Sequence, residues 1–211
     1  MRGKYEAPPK SRKKWLWIAG ACALVVIIAI VVILLLPDDI LMIQPTLTVE
    51  TPQKIGASGG EEFVLDVTIS SLGEAIYPAA SMSIEFDSSC LEFLGIEEGN
   101  VFVTGEKNGA GEARKMPEWS CNVDNSNASG CINIMYLDMT GGKHAFRQEL
   151  LAEEDNVILR LRFRLRGSVR AGDVFELNVK DAVFAASDET KSLAMTTDTL
   201  KVKNGKIVTG D

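Results

Sequence analysis

Apolar and polar residues alternate along much of the chain after residue 60, which is the pattern of a β-strand with one buried face. The clearest example is 157–166, where every second position is apolar and four of the others are arginine. Similar alternation runs through 63–70, 81–86 and 132–137. A period of two with one polar face is typical of antiparallel sheets that cover a shared core. We therefore predict strands that pack as antiparallel sheets.

Clusters of glycine, asparagine and aspartate separate these strands and predict turns. They lie at 56–60, 105–111, 122–130, 141–142 and 203–205. One stretch in this part of the chain, 145–154, has the pattern of a short helix. Many short strands and one short helix in about 165 residues predict an all-β fold, a jelly-roll β-sandwich.

The hydrophobic pattern near the N-terminus is different, because residues 15–36 are uncharged throughout. As a helix this run is about 33 Å long, enough to cross a hydrocarbon core of about 30 Å. We therefore predict a single N-terminal transmembrane helix at 15–36, followed by a juxtamembrane linker at 37–45. A cleaved signal peptide is the alternative, but its apolar core has only about 7–15 residues, and Leu34 to Pro37 make a poor cleavage site.

Charge assigns an orientation to this predicted helix. Residues 1–14 hold six basic residues and one acid, whereas the rest of the chain holds 16 basic and 28 acidic residues. Because positive charge stays on the cytoplasmic side, we predict a basic cytoplasmic tail at 1–14 and an extracellular domain at 46–211. The acidic character of that domain argues against nucleic acid as a partner.

The outer domain has little that would support catalysis or a resident metal or cofactor. His144 is the only histidine, so a histidine-based metal cluster is excluded, and we expect neither an enzyme nor a cofactor. The oxygen-rich segment 122–130 suggests calcium, but the two EF-hand positions that require glycine and glutamate hold Ser129 and Met135. A long hairpin turn is the favoured interpretation, and Asn127 begins an N-glycosylation sequon within it.

Two further features concern cysteines and arginines. Cys121 and Cys131 flank the predicted turn, and outside the cell they are expected to form a disulfide, with a reduced pair as the alternative. The arginine row at 160, 162, 164 and 166 could bind an anionic polymer or lipid. We favour a solvated sheet face on which these arginines pair with acids such as Asp66.

Several segments, in order, resemble the cohesin domain of bacterial and archaeal scaffolding proteins, including those of cellulosomes. They are LTVETPQKIGASGGEEFVLDVTIS (47–70), MSIEFDSSCLEFLGIEEG (82–99), INIMYLDMTGG (132–142), NVILRLRFRLRGSVRAGDVFELNVKDAVFAASD (156–188) and KNGKIVTG (203–210). The resemblance covers roughly 46–209. It implies a cell-surface module that binds a dockerin-bearing protein, with calcium carried by the dockerin. A helix at 145–154 would be typical of the second type of cohesin.

The resemblance also implies where the partner binds, on a flat sheet that includes the third and sixth strands. The outward positions there are Ala79, Ser81, Ser83, Glu85, Asn133 and Met135, with Asp138 at the end of the sixth strand. Alternation leaves Met135 facing water as an adaptable apolar anchor, unless a loop of the domain covers it. Two other functions remain open, a carbohydrate-binding sandwich, which would need exposed aromatic rings, and a structural surface domain.

Overall fold

The structure is a computed structural model, and it describes residues 44–51, 55–73, 75–104, 114–152, 155–167, 169–187, 194–196 and 198–210. Residues 44–211 form one compact unit. The predicted cytoplasmic tail, the predicted transmembrane helix and most of the predicted linker lie outside the described residues. Within the described residues, no helix is long and apolar enough to span a bilayer.

Two five-stranded sheets form the described part of the domain, as the alternation predicted. The first has the strand order β4-β7-β2-β1-β9, with β1 (Thr46–Val49), β2 (Glu62–Ile69), β4 (Leu91–Glu98), β7 (Val157–Leu165) and β9 (Lys201–Lys203). The second has the order β10-β8-β3-β6-β5, with β3 (Ala79–Glu85), β5 (Ser120–Cys121), β6 (Cys131–Leu137), β8 (Val174–Ala185) and β10 (Gly205–Val208). Its pairs are antiparallel, whereas the first sheet contains one parallel pair, β1 with β9.

The core lies between the sheets and is built from the apolar positions of each strand. Phe163 on β7 is fully buried and is in contact with three other rings. Its ring centroid lies 5.9 Å from that of Phe63, 5.4 Å from that of Phe86 and 5.5 Å from that of Phe93. Each such side chain contributes about 1.5–3 kcal/mol through burial, so the core gives the two sheets a fixed separation and a fixed register.

The short helix predicted for this domain exists, but it lies in a different segment. The α-helix α1 (Val123–Ser129) occupies the stretch that was predicted to be a turn. The Asn122 side chain accepts a hydrogen bond from the Asn125 N–H at 2.9 Å, and Gly130 ends the helix with φ of 70°. In the stretch 145–154 the described residues contain only a 3₁₀ turn, Gln148–Leu150, which ends at once because the backbones of Arg147 and Leu151 on either side are extended.

The predicted disulfide between Cys121 and Cys131 is wrong, since both cysteines are free, as is Cys90. In the ladder between β5 and β6, Cys121 lies opposite Ile134. Cys131 lies three residues before Ile134 on β6, about 10 Å from it at the rise of a strand. A disulfide requires Cα atoms within about 7 Å, so the register that α1 imposes separates the two thiols.

Candidate protein-binding surface

The outer face of the second sheet carries six of the seven predicted site residues. On β3 the side chains of Ala79, Ser81, Ser83 and Glu85 alternate with the buried Ala80, Met82 and Ile84. On β6, Asn133 and Met135 are exposed. The register places Ser83 opposite Asn133 and Ser81 opposite Met135, so the six residues lie together on one face of the sheet. We call it the β3–β6 face.

One half of the β3–β6 face is apolar. Met135 and Leu137 on β6 are 54% and 55% exposed, and Met139, two residues beyond the end of that strand, is 82% exposed; we call these three residues the apolar row. Small or half-buried side chains flank it, with Ala79 opposite Leu137 on β3. Since three of the six exposed large hydrophobic residues in the described structure fall in this one row, the row is an unusual concentration of apolar surface.

The other half of the face is polar. The Ser83 hydroxyl donates to Asn133 Oδ1 at 2.8 Å, so these two side chains partly satisfy each other. Lys180 Nζ lies 2.9 Å from Glu85 Oε2, in a pair that is about half exposed. Asp181 on β8 lies opposite Ser83. A partner that covered the whole face would therefore meet apolar side chains at one end and hydrogen-bonding groups at the other.

Asp138, the seventh predicted residue, follows β6, and both oxygens of its carboxylate already accept hydrogen bonds from the domain. Its Oδ1 accepts hydrogen bonds from the backbone and the hydroxyl of Thr140, at 2.7 and 2.6 Å. Its Oδ2 accepts from the N–H groups of Gly142 and His144, at 2.7 and 3.3 Å. Desolvation raises the pKa of this carboxyl, but the hydrogen bonds outweigh it, so the pKa is lowered overall. Its acceptor oxygens are thus bonded within its own turn.

Aromatic side chains support the β3–β6 face from the core side. The ring of Tyr136 lies 5.7 Å from that of Trp119 and 5.1 Å from that of Phe146. Burial, with the nearby charges of Asp138 and Glu118, raises the pKa of Tyr136 to about 12. The Trp119 indole donates to the Ile158 carbonyl at 2.9 Å. Among the described residues no aromatic ring is exposed as a platform on which a sugar could stack.

The arginine row lies on the outer face of the first sheet, and its first three arginines are paired with acids, as predicted. Arg160 Nε lies 2.9 Å from Asp66 Oδ1, and Arg162 lies 3.1 Å from Glu62 and 3.2 Å from Glu97. Arg164 donates to Glu62 and Glu92, whereas Arg166 donates to the Leu91 carbonyl. These pairs are more than a third exposed, so each contributes only modestly to stability. This face offers alternating charges rather than a cationic surface.

Some residues of the β3–β6 face were missed by the sequence analysis. Leu137 and Met139 follow Met135 at two-residue steps, so the same alternation that selected Met135 could have found them. Val183 and Asp181 on β8 could not be found from the alternation, because a bulge opposite Ser83 changes the register of that strand. Among the described residues, no group of three or more histidine, cysteine or acidic side chains is placed to hold a metal ion.

Comparison with known proteins gives the same architecture. The family model of the cohesin domain matches residues 46–204. A chain of the Coh-OlpA-Doc918 complex, a type I cohesin–dockerin complex from Clostridium thermocellum, is 18% identical with a TM-score of 0.55, covering 78% of this chain and 98% of that one. The third cohesin of ScaC from Acetivibrio cellulolyticus, in complex with the ScaB dockerin, is 13% identical with a TM-score of 0.55, covering 79% and 99%.

A third structure is the sixth cohesin of scaffoldin B from Acetivibrio cellulolyticus, in complex with a Cel5 dockerin. It is 18% identical with a TM-score of 0.55, and the match covers 79% of this chain and 99% of that one. No curated protein sequence matches this chain. At such low identity the similarity to the solved structures shows a shared fold and nothing more. The family is shown by the family model, which matches residues 46–204. The chain belongs to the cohesin domain family.

Proposed function

We propose that this chain is a membrane-tethered cohesin that captures a dockerin-bearing protein through its β3–β6 face. It acts as a binding module and not as an enzyme. The observation that carries the proposal is the apolar row, which leaves three large side chains in water on an otherwise small-residue, flat sheet. Apolar surface of this kind is typical of a protein-binding site.

The shape of the face supports a helical partner. Ala79 and Ser81 are small, so the backbone of an approaching helix can come close to the sheet between the side chains of β6 and β8. Methionine has a flexible and polarisable side chain, which adapts to the surface of a partner. In this proposal the dockerin supplies the helix and carries its own calcium. Binding experiments with both dockerin types decide which type is recognised.

The tether rests on the sequence. The uncharged run at 15–36 and the basic tail at 1–14 support a single-pass membrane protein with a cytoplasmic N-terminus. Because only residues 37–45 separate that run from the domain, at most about 30 Å of extended chain, the domain would lie close to the cell surface. The chain should remain in the membrane fraction in high salt, and protease added to intact cells should release the domain. Release of the domain without protease contradicts the tether.

The binding proposal is tested with calcium-loaded dockerins encoded by the same genome, titrated against the full-length chain in detergent micelles. Met135 is 54% exposed, so covering the rest of it contributes about 1 kcal/mol to binding. Met135→Arg removes this contribution and also buries a charge in the contact. We therefore expect a loss of at least about 2 kcal/mol, roughly 30-fold in Kd, with little change in Tm.

The matched control is Val64→Arg, which exchanges an exposed apolar residue for arginine on the other sheet. Val64 is 41% exposed and lies on β2 two residues from both Glu62 and Asp66 and opposite Arg162 on β7, so a charge there joins a face that is already charged. We expect this variant to bind with unchanged affinity. If Val64→Arg abolishes binding and Met135→Arg does not, the partner uses the first sheet and the proposed face is wrong.

A further inference from the structure

The loop that follows β6 is fixed unusually well for an exposed segment. We call residues 139–144 the β6 loop. The carboxylate of Asp138 accepts four hydrogen bonds from it, two from Thr140, one from Gly142 and one from His144. Three of these come from backbone N–H groups, so the carboxylate holds the course of the main chain and not just one side chain.

Two more residues hold the β6 loop from other directions. The Arg147 guanidinium donates to the Gly142 carbonyl through Nη2, and the Tyr136 hydroxyl donates to the His144 carbonyl. Gly141 and Gly142 have φ of 74° and 89°, which only glycine adopts without strain. The loop is therefore anchored at its start by Asp138, in its middle by Arg147 and at its end by Tyr136.

Met139 is the residue that this anchoring presents. It is the most exposed large hydrophobic side chain of the described structure, at 82%. It continues the sequence of Met135 and Leu137 at the same two-residue step, and the Asp138 N–H extends the pairing with the Pro78 carbonyl at 2.7 Å. The anchored loop thus lengthens the apolar row beyond the last residue of β6.

We infer that Asp138 is a positioning residue of the β3–β6 face, which holds the β6 loop so that Met139 forms the third contact of the apolar row. The inference rests on the proposed function. It also defines the chemistry of the partner, an amphipathic helix that lies along β6 with apolar side chains at i, i+4 and i+8. Such a helix places them about 6 Å apart, close to the two-residue step of about 6.8 Å along a strand. In this view Asp138 does not itself pair with a cation of the partner.

The test is a double-mutant cycle between Asp138→Asn and Met139→Ala in the full-length chain, with a calcium-loaded dockerin that binds the wild type. Asparagine keeps one carbonyl oxygen that accepts from Thr140, but the NH2 group that replaces the other oxygen cannot accept from the N–H groups of Gly142 and His144. Each single variant is expected to raise the Kd about tenfold, which is the loss expected when one methionine side chain is no longer buried in the contact. The double variant should also lose about tenfold, because Met139 is already misplaced once the loop is loosened.

Two further measurements separate positioning from direct contact. Hydrogen exchange at the amides of Gly142 and His144 should speed up in Asp138→Asn while the Tm changes little. The tenfold loss should be equal at about 0.05 M and about 0.5 M salt, whereas the loss of an ion pair to the partner would shrink as salt screens it. Asp181→Asn is the matched control, since Asp181 lies on the same face and takes no part in the loop's hydrogen bonds. Its effect should add to that of Met139→Ala.

The outcomes distinguish this inference from the proposed function. A hundredfold loss in the double variant, unchanged amide exchange in Asp138→Asn, or a loss that disappears in high salt overturns the positioning role while dockerin binding stands. If the wild type binds none of the dockerins, the proposed function is overturned, and the partner chemistry inferred here is overturned with it.

Discussion

Asn127 connects α1 to the edge of the first sheet, and its removal gives a sharp test of the fold. Its Oδ1 accepts from the Phe93 N–H at 2.8 Å, and its Nδ2 donates to the Phe93 carbonyl at 2.8 Å and to the Val123 carbonyl at 3.1 Å. Because β4 is an edge strand, Phe93 has no strand partner on that side. The amide of Asn127 therefore takes the place of a neighbouring strand.

The expected magnitude follows from these bonds. Asn127→Ala leaves the N–H and the carbonyl of Phe93 without partners in a half-buried position, at a cost of about 1–2 kcal/mol each. Alanine favours a helix over asparagine by about 0.5 kcal/mol, which offsets part of the loss. The net loss in the free energy of unfolding should be about 2–3 kcal/mol, a large fraction of the stability of a domain of this size.

Urea unfolding of the purified domain, residues 44–211, measures this difference. The matched control is Asn125→Ala in the same helix, whose exposed side chain forms none of these bonds with β4, so its stability should change by less than about 0.5 kcal/mol. Equal stability of the wild type and Asn127→Ala, or equal losses in the two variants, would refute the role given to the Asn127 amide.

Three other expectations can be checked on the same domain. The pKa of Tyr136 is raised to about 12, above the value of about 10 in the unfolded chain. The stability that Tyr136 contributes is therefore present below pH 10 and is lost as the pH rises toward 12. Phenolate absorbance should report unfolding and ionisation together. The pKa of Asp138 is lowered, so the stability it contributes is present above about pH 4 and is lost as the pH falls through the folded value, and amide exchange should show the β6 loop opening only in that acidic range. Alkylation in denaturant without reductant should label all three thiols, and labelling of one alone would indicate a disulfide.

The strands β2, β3, β6 and β7 were predictable because the alternation in each sequence shows which face of the strand is buried. In β7, alternate residues from Val157 to Leu165 face the core, and the arginines between them require the acids that β2 and β4 supply. The same alternation placed Met135 in water, and its 54% exposure agrees with that prediction. Local periodicity is sufficient where one face of a strand is buried and the other is solvated.

The missed features depend on contacts that no local pattern contains. The helix α1 has seven mostly polar residues, too few for a helical period, although its caps Asn122 and Gly130 were present as signals. The parallel pairing of β1 with β9 joins residues about 155 positions apart, as between Thr46 and Lys201. The hydrogen bonds of Asp138 were missed for a similar reason, because its carboxylate accepts from backbone N–H groups that any sequence would provide.

The position of β1 in the first sheet determines how the domain carries a mechanical load. The chain enters the domain at Thr46, and β1 is bonded on one side to β2 and on the other to β9, with Leu47 opposite both Ile69 and Val202. If the N-terminus is held by a tether while a partner pulls on the other sheet, tension runs along β1. The hydrogen bonds on both sides of the strand would then be loaded together in shear and would not open one at a time.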